Sequence, residues 1–132
     1  MSRKGLTLLR VSLGPVSIGP GKANLLAAIE ETGSISAAAR RLRMSYKRAW
    51  SLTEDMNSAF AEPVVTAARG GTSGGGAQLT ETGRQLFEAY RRMECAASNA
   101  IGADVEMLTG LLRGAPPANT ARKTPAYHSE DD

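Results

Sequence analysis

The 132-residue chain has one cysteine and one histidine, and aromatic residues make up only 5% of it. Cys95 alone cannot form an intrachain disulfide, and it suits a reducing interior. His128 lies in a polar C-terminal stretch, so no histidine-based triad or metal cluster can be assembled. No acidic pair shares an expected pocket, and the chain reads as a non-enzyme. No apolar run approaches the roughly eighteen residues that span a bilayer. The opening MSRKGLTLLRVSLGP is basic but too interrupted for a secretory signal. The expected setting is the cytoplasm, with no membrane partner.

The length allows one compact domain plus an elaboration. With few aromatics, much of the 42% apolar content is alanine, which favours helices packed closely through small side chains. The net charge of +3 is weak support for a nucleic-acid partner, but its distribution says more. Between Ser34 and Phe60, Arg40, Arg41, Arg43, Lys47 and Arg48 face only Glu54 and Asp55, so this segment carries as much net charge as the whole chain.

Leu6 to Ser12 alternates loosely and predicts a short strand, pairing with Val16–Ile18 or with a later hairpin. Gly19-Pro20-Gly21 punctuates the chain, and KANLLAAIEETG follows as a first helix with Gly33 as its stop. Ser36 then offers an N-cap for AAARRL, and Ser45 offers a second for the helix after it. Two short helices joined by a tight turn form the helix-turn-helix pattern. On a helical wheel Ala49, Leu52, Met56 and Phe60 share one arc, with Tyr46 and Trp50 along its edge. Trp50 is expected in the core; Tyr46 either packs or hydrogen-bonds a phosphate. Lys47, Arg48 and Ser51 lie opposite, near the N-terminal end, with Glu54 and Asp55 further along. Such a helix approaches phosphate with its N-terminus first, as recognition helices do.

Pro63 is expected to end that helix. VVTAAR and GAQL are strand-like and flank the run RGGTSGGGAQLT, in which five of twelve residues are glycine. A hairpin directly after a helix-turn-helix is a wing, whose glycines admit positive φ and bring backbone N–H groups close to a phosphate. A flexible linker is the plainer alternative. From a Thr80 N-cap, Glu81 to about Leu112 carries Leu86, Phe87, Tyr90, Met93, Ala97, Ile101, Val105, Leu108 and Leu111 on one seam, with Gly102 and Gly110 as points where it can break. About thirty helical residues span about 45 Å, further than so small a domain covers. The distal seam of Met93, Ala97, Ile101, Val105 and Leu108 therefore predicts a second subunit. Cys95 is expected to be an inert packing residue of this helix.

The fold class is thus mainly α with a small β-hairpin: a winged helix-turn-helix with a long C-terminal dimerisation helix. Residues 1–20 are expected to form a strand segment joining the wing sheet, 21–80 the winged helix-turn-helix, 81–112 the dimerisation helix and 113–132 a disordered tail.

Together, GSISAAARRLRMSYKRAW, DMN, GGTSGGGAQLT and TGRQLFEAY resemble the DNA-binding half of the ModE-type molybdate-responsive transcriptional regulators, over roughly residues 21–90. The pairing of SYK-x-AW with a glycine-rich wing ending in LT-x-x-G is the specific part. The resemblance implies a dimeric winged-helix regulator of transcription, a repressor by expectation, on a palindromic operator. It places Ser45, Tyr46, Lys47 and Arg48 at the start of the recognition helix and Arg69 to Gly76 in the wing. The residues expected at double-stranded DNA are Ser36, Arg40, Ser45, Tyr46, Lys47, Arg48 and Ser51, with Arg69, Gly70, Gly71, Thr72, Ser73 and Gly74 from the wing. Arg40 and Arg41 either touch phosphate or merely solubilise their helix.

Three departures qualify the resemblance. Only a short polar tail follows the long helix where family members carry oxyanion-binding domains. No cofactor is therefore expected in this chain; any molybdate sensing falls to a separate oxyanion sensor or a weak site in the dimer, and RNA polymerase is a further candidate partner. Thr72-Ser73 stand at the wing tip where relatives usually have a Lys or Arg. Arg43 occupies the turn where helix-turn-helix proteins often place glycine, so a slightly different turn is expected. The competing reading is a winged-helix adaptor for other proteins, which would not need cations concentrated at the front of one helix.

Overall fold

The structure, a computed structural model, describes residues 4–68 and 75–114. Pro20 opens α1 (Pro20–Thr32) at its first turn, where the missing N–H forfeits no hydrogen bond and the fixed φ already suits a helix. The helix thus begins inside the Gly19-Pro20-Gly21 stretch rather than after it. It ends as expected at Gly33, in the left-handed region at φ 81°. Ala23, Leu25, Leu26, Ala28 and Ile29 are buried, far more than one stripe, because other elements surround this helix on several sides.

α2 (Ile35–Arg41) is capped by Ser34, whose hydroxyl accepts from the Ala37 N–H at 2.9 Å. This corrects the assignment of Ser36 as N-cap. Ser34 is the extended residue directly after Gly33, so its oxygen reaches the third amide of the helix. Ser36 is already helical and exposed, and its hydroxyl accepts from Arg40 Nη1 at 3.3 Å. After α2, Met44 N–H donates to the Ala39 carbonyl and Arg43 N–H to that of Arg40, with Arg43 at φ 59°. These two bonds make a Schellman turn with arginine in the left-handed seat that glycine usually takes. The turn is therefore the usual one, held at a conformational cost of about 1 kcal/mol.

Ser45 caps α3 (Tyr46–Ala59) as the sequence indicates, accepting from Arg48 N–H at 3.0 Å. Ala49, Thr53 and Met56 are its buried residues, and the Thr53 hydroxyl, absent from the expected arc, donates to the Ala49 carbonyl at 2.9 Å. The helix stops at Phe60, three residues before Pro63. Asn57 then joins it to the hairpin. Its Oδ1 accepts from the amides of Val64 (2.8 Å) and Val65 (3.1 Å), and its Nδ2 donates to the Val65 carbonyl (3.1 Å).

β3 (Val65–Ala68) and β4 (Gly76–Leu79) pair antiparallel, Val65 opposite Leu79 and Ala68 opposite Gly76. Ala77 N–H donates to the Gly33 carbonyl at 2.8 Å, which attaches the hairpin to the end of α1. The N-terminal segment does not join this sheet. β1 (Val11–Ser12) pairs with β2 (Ser17–Ile18) in a separate two-stranded ribbon, because the Gly14-Pro15 turn supplies a partner locally. The segment before it is held by Tyr90, whose hydroxyl donates to the Leu9 carbonyl at 2.6 Å.

Thr80 caps α4 (Glu81–Ala100), accepting from Gly83 N–H and donating to the Pro63 carbonyl. At Gly83 the helix backbone meets the hairpin so closely that a Cβ would stand 2.2 Å from the Val64 carbonyl oxygen. The long helix is interrupted at Ile101, whose N–H is shared between the Ala97 and Asn99 carbonyls. It resumes as α5 (Gly102–Gly110), with the break falling beside one of the two glycines singled out in the sequence.

Candidate nucleic-acid interface

The helix-turn-helix presents its cations in two electrostatic states. Arg41 is paired with Glu31 of α1. Arg40, Arg43, Lys47 and Arg48 are exposed and pair with no carboxylate among the described residues; Arg40 touches only the Ser36 hydroxyl. These four surround the turn and the N-terminal end of α3, where the Ser45 cap leaves the remaining first-turn amides open to solvent. Ser51 is exposed one turn beyond Lys47, while Glu54 and Asp55 lie further along. An unpaired cation keeps its full attraction for an incoming phosphate, whereas one in an ion pair must first lose its partner. Of the expected set, Ser36, Arg40, Ser45, Tyr46, Lys47, Arg48 and Ser51 share this surface. Arg69, Gly70, Gly71, Thr72, Ser73 and Gly74 lie outside the described residues, as does the stretch from Ala115 onward with His128.

Two placements, Trp50 and Cys95, differ from expectation. Trp50 is not a core residue: it is 48% exposed, and Tyr46, one turn before it, is 55% exposed. Both lie on the flank of α3 turned to the hairpin, where they border an open concavity of about 270 Å³. The hairpin side of that concavity is Thr66, Ala67, Gly76 and Ala77, side chains too small to cover an indole. Cys95 is exposed rather than packed, so its helix turns that side to solvent. Arg43 and Asn57 were missed as functional candidates. The first sits in the turn with a strained backbone and a free charge. The second ties α3 to the hairpin through three hydrogen bonds, and the sequence carries it inside the DMN motif of the family resemblance, with no role attached to it there.

On the distal seam of α4 and α5, Leu108 is 57% exposed and Met93 is also exposed, while Ala97, Ile101 and Val105 are half-buried. Met107, Leu111 and Leu112 add further exposed apolar surface at the same end.

A small free oxyanion is enclosed by cations or N–H donors converging from several sides; the concavity beside Trp50 has no cation among the described residues of its lining, and a second one, between Val16 and Ser58, is net acidic. Glu54 borders both, and Asp55 adds a second negative charge beside Lys22 in the other. No group of three or more His, Cys, Asp or Glu residues is placed to hold a metal ion among the described residues. No described helix is long and apolar enough to cross a membrane.

Three helices, the second pair joined by a tight turn, followed by an antiparallel hairpin, define a winged-helix domain. Among solved structures, the DNA-binding domain of CbnR in a complex with DNA has this fold, with a TM-score of 0.53 at 19% identity over 67% of this chain and 95% of that one. No family model matches the chain. Its sequence nevertheless matches molybdenum proteins closely. It is 44% identical over 109 residues to the molybdenum-pterin-binding protein MopB of Rhodobacter capsulatus, covering 80% of this chain and 40% of that protein. It is 37% identical to the molybdenum transport protein ModE of Azotobacter vinelandii, over 81% of this chain and 41% of that one. A 41% match to the DNA-binding transcriptional dual regulator ModE of Escherichia coli covers 54% and 27% respectively. The winged helix described above is therefore of the ModE type. The chain spans about two fifths of the length of the first two of these relatives.

Proposed function

We propose that the chain binds double-stranded DNA sequence-specifically as a homodimer and regulates transcription, with α3 as its recognition helix. The observation that carries this reading is the set of four unpaired cations around the turn and the front of α3, beside an Arg41 that is already neutralised. A helix charged in this way enters a major groove N-terminus first, with Lys47 and Ser51 towards base edges and Arg40 and Arg43 towards the backbone. Arg69 and Gly70 to Gly74 complete the interface as a wing. The exposed face of Met93, Leu108 and Leu111 pairs with its copy in a second subunit, so the target is palindromic. The names of the relatives support a link to molybdenum, and repression at such an operator is the proposed outcome.

A fluorescence-anisotropy titration of labelled duplex against salt tests the reading. Affinity falls steeply with salt, and Lys47→Ala or Arg48→Ala each lowers it while the thermal transition stays in place. A base contact costs about 1–3 kcal/mol and relaxes specificity at one position; a phosphate contact flattens the slope of log K against log salt by about 0.9. Salt-independent binding, or unchanged affinity in both variants, removes α3 from the interface and leaves the adaptor reading.

A further inference from the structure

We infer that the flank of α3 facing the hairpin, carrying Tyr46 and Trp50, is a seat for the sugar-phosphate backbone of one DNA strand. The inference rests on the DNA-binding reading above and assigns a role to two side chains that the cation pattern does not explain.

Trp50 and Tyr46 are the largest side chains on α3, and both are about half exposed. One turn apart, they stand on the same side of the helix. Both end in hydrogen-bond donors, the indole N–H and the phenol O–H, and neither donor has a partner among the described residues. The surface opposite is Val65, Thr66, Ala67, Gly75, Gly76 and Ala77 of the hairpin, none larger than valine. A Cβ at Gly76 would meet the Ala68 Cβ and carbonyl oxygen, each at 3.1 Å, so a side chain there is admitted only if the strand gives way. The trough thus stays open by composition, with an aromatic wall on one side and small residues on the other.

Groove geometry selects the occupant. A helix is about 10–12 Å across with its side chains, and the major groove is about 12 Å wide. A helix inserted there has its tip at the base edges and each flank against a sugar-phosphate ridge. The flank bearing Tyr46 and Trp50 must therefore face one ridge, where the rings lie on deoxyribose and the two donors reach phosphate oxygens. Lys47 and Arg48 at the same end of α3 favour a polyanion over an apolar partner. Glu54, one turn beyond Trp50, repels phosphate and directs the strand past the Tyr46 end of the trough.

Trp50 is the chain's only tryptophan, so its fluorescence reports on this site alone. The full chain is titrated with a mixed-sequence duplex at low salt, with acrylamide quenching of Trp50 measured alongside anisotropy of the labelled duplex. Bound duplex is expected to lower the quenching constant severalfold. Trp50→Ala should weaken binding about tenfold on every sequence, the loss of one charge-assisted hydrogen bond and its ring contact, with the salt slope unchanged because no cation is removed. Trp50→Phe should recover part of the loss. Duplex that binds by anisotropy while Trp50 stays as open to acrylamide as in the free protein overturns this inference and leaves the DNA-binding reading standing. No anisotropy change at all overturns both. Quenching that falls with protein concentration in the absence of DNA makes the trough a protein-protein surface and overturns the inference as well.

Discussion

The two halves of the C-terminal helical segment carry the same apolar spacing and meet opposite surroundings. From Gly83 to Tyr90, α4 belongs to a closed core: Gly83 is pressed against the hairpin, Leu86 and Phe87 pack on the buried cluster, and Tyr90 is fully buried. Beyond Met93 the pattern continues through Ile101 into α5, yet Met107, Leu108, Leu111 and Leu112 face solvent. Periodicity therefore identifies an apolar face but does not say which chain covers it. The proximal half finds its partner within the chain itself. The distal half presents a contiguous apolar end of the kind that interaction surfaces show.

The sharpest way to break the proximal half is Gly83→Ala. The added methyl would stand 2.2 Å from the Val64 carbonyl oxygen, which already accepts the Thr80 N–H at 2.9 Å. Neither backbone can yield without disturbing the Thr80 cap or the hairpin. A loss of roughly 3 kcal/mol or more in urea unfolding is expected, at the severe end for a single substitution. A loss below about 1 kcal/mol would mean that α4 sits further from the hairpin than described.

The distal half responds to the opposite test. Leu108→Asp with Leu111→Asp alters two exposed residues, so unfolding of the isolated subunit should change by less than about 0.5 kcal/mol. If these residues form the subunit seam, sedimentation shifts from dimer to monomer. Affinity for a duplex carrying two half-sites then falls by roughly a hundredfold, because the second half-site is no longer held at high effective concentration. Wild-type protein that sediments as a monomer at micromolar concentration would leave this face for another partner.

The same contrast explains what could be read from the sequence. Local signals were legible: the Ser45 and Thr80 caps, the Gly33 stop, the order of the three helices and the strands around the glycine run. Each depends on a few neighbouring residues, so no tertiary information was needed. Ser34 and Ser36 are equally good caps by type, and only the left-handed turn at Gly33 selects the first. Trp50 was misplaced for a different reason. A helical wheel gives a direction but not the size of what lies there, and Trp50 points at alanine and glycine in the hairpin. The N-terminal strand had two candidate partners, Val16–Ile18 and the later hairpin; the expected domain division placed it in the wing sheet, whereas the partner across Gly14-Pro15, nearer in the chain, is the one that pairs. The unpaired cations were visible as residues, but their freedom was not, since Glu31 neutralising Arg41 is a contact between α1 and α2.

The boundary between the two halves falls at Tyr90, and Tyr90→Phe sharpens it. The phenol is fully buried and donates to the Leu9 carbonyl at 2.6 Å, holding the N-terminal segment against α4. The same segment reaches α5 through Lys4 and Glu106, an exposed pair at 4.0 Å that contributes little. Losing the hydroxyl leaves the Leu9 carbonyl without that donor and should cost about 1–2 kcal/mol near neutral pH. Burial first, and then the neighbouring Glu94 carboxylate, raise the Tyr90 phenol above its ordinary 10.0, with Arg91 and Arg10 opposing. The sign of the pH effect follows from linkage. Below pH 10 both folded and unfolded chains hold the proton, and the contribution is complete. As pH rises past 10 the unfolded chain ionises first, so stability falls until the folded phenol also titrates. The wild type should therefore lose its advantage over Tyr90→Phe as pH rises through and past 10, since the other tyrosines are common to both chains. Paired urea titrations across that range read the difference directly. A gap that stays constant with pH would show that the phenol ionises alike in both states, and a gap near zero throughout would show that the N-terminal segment is not held at Leu9.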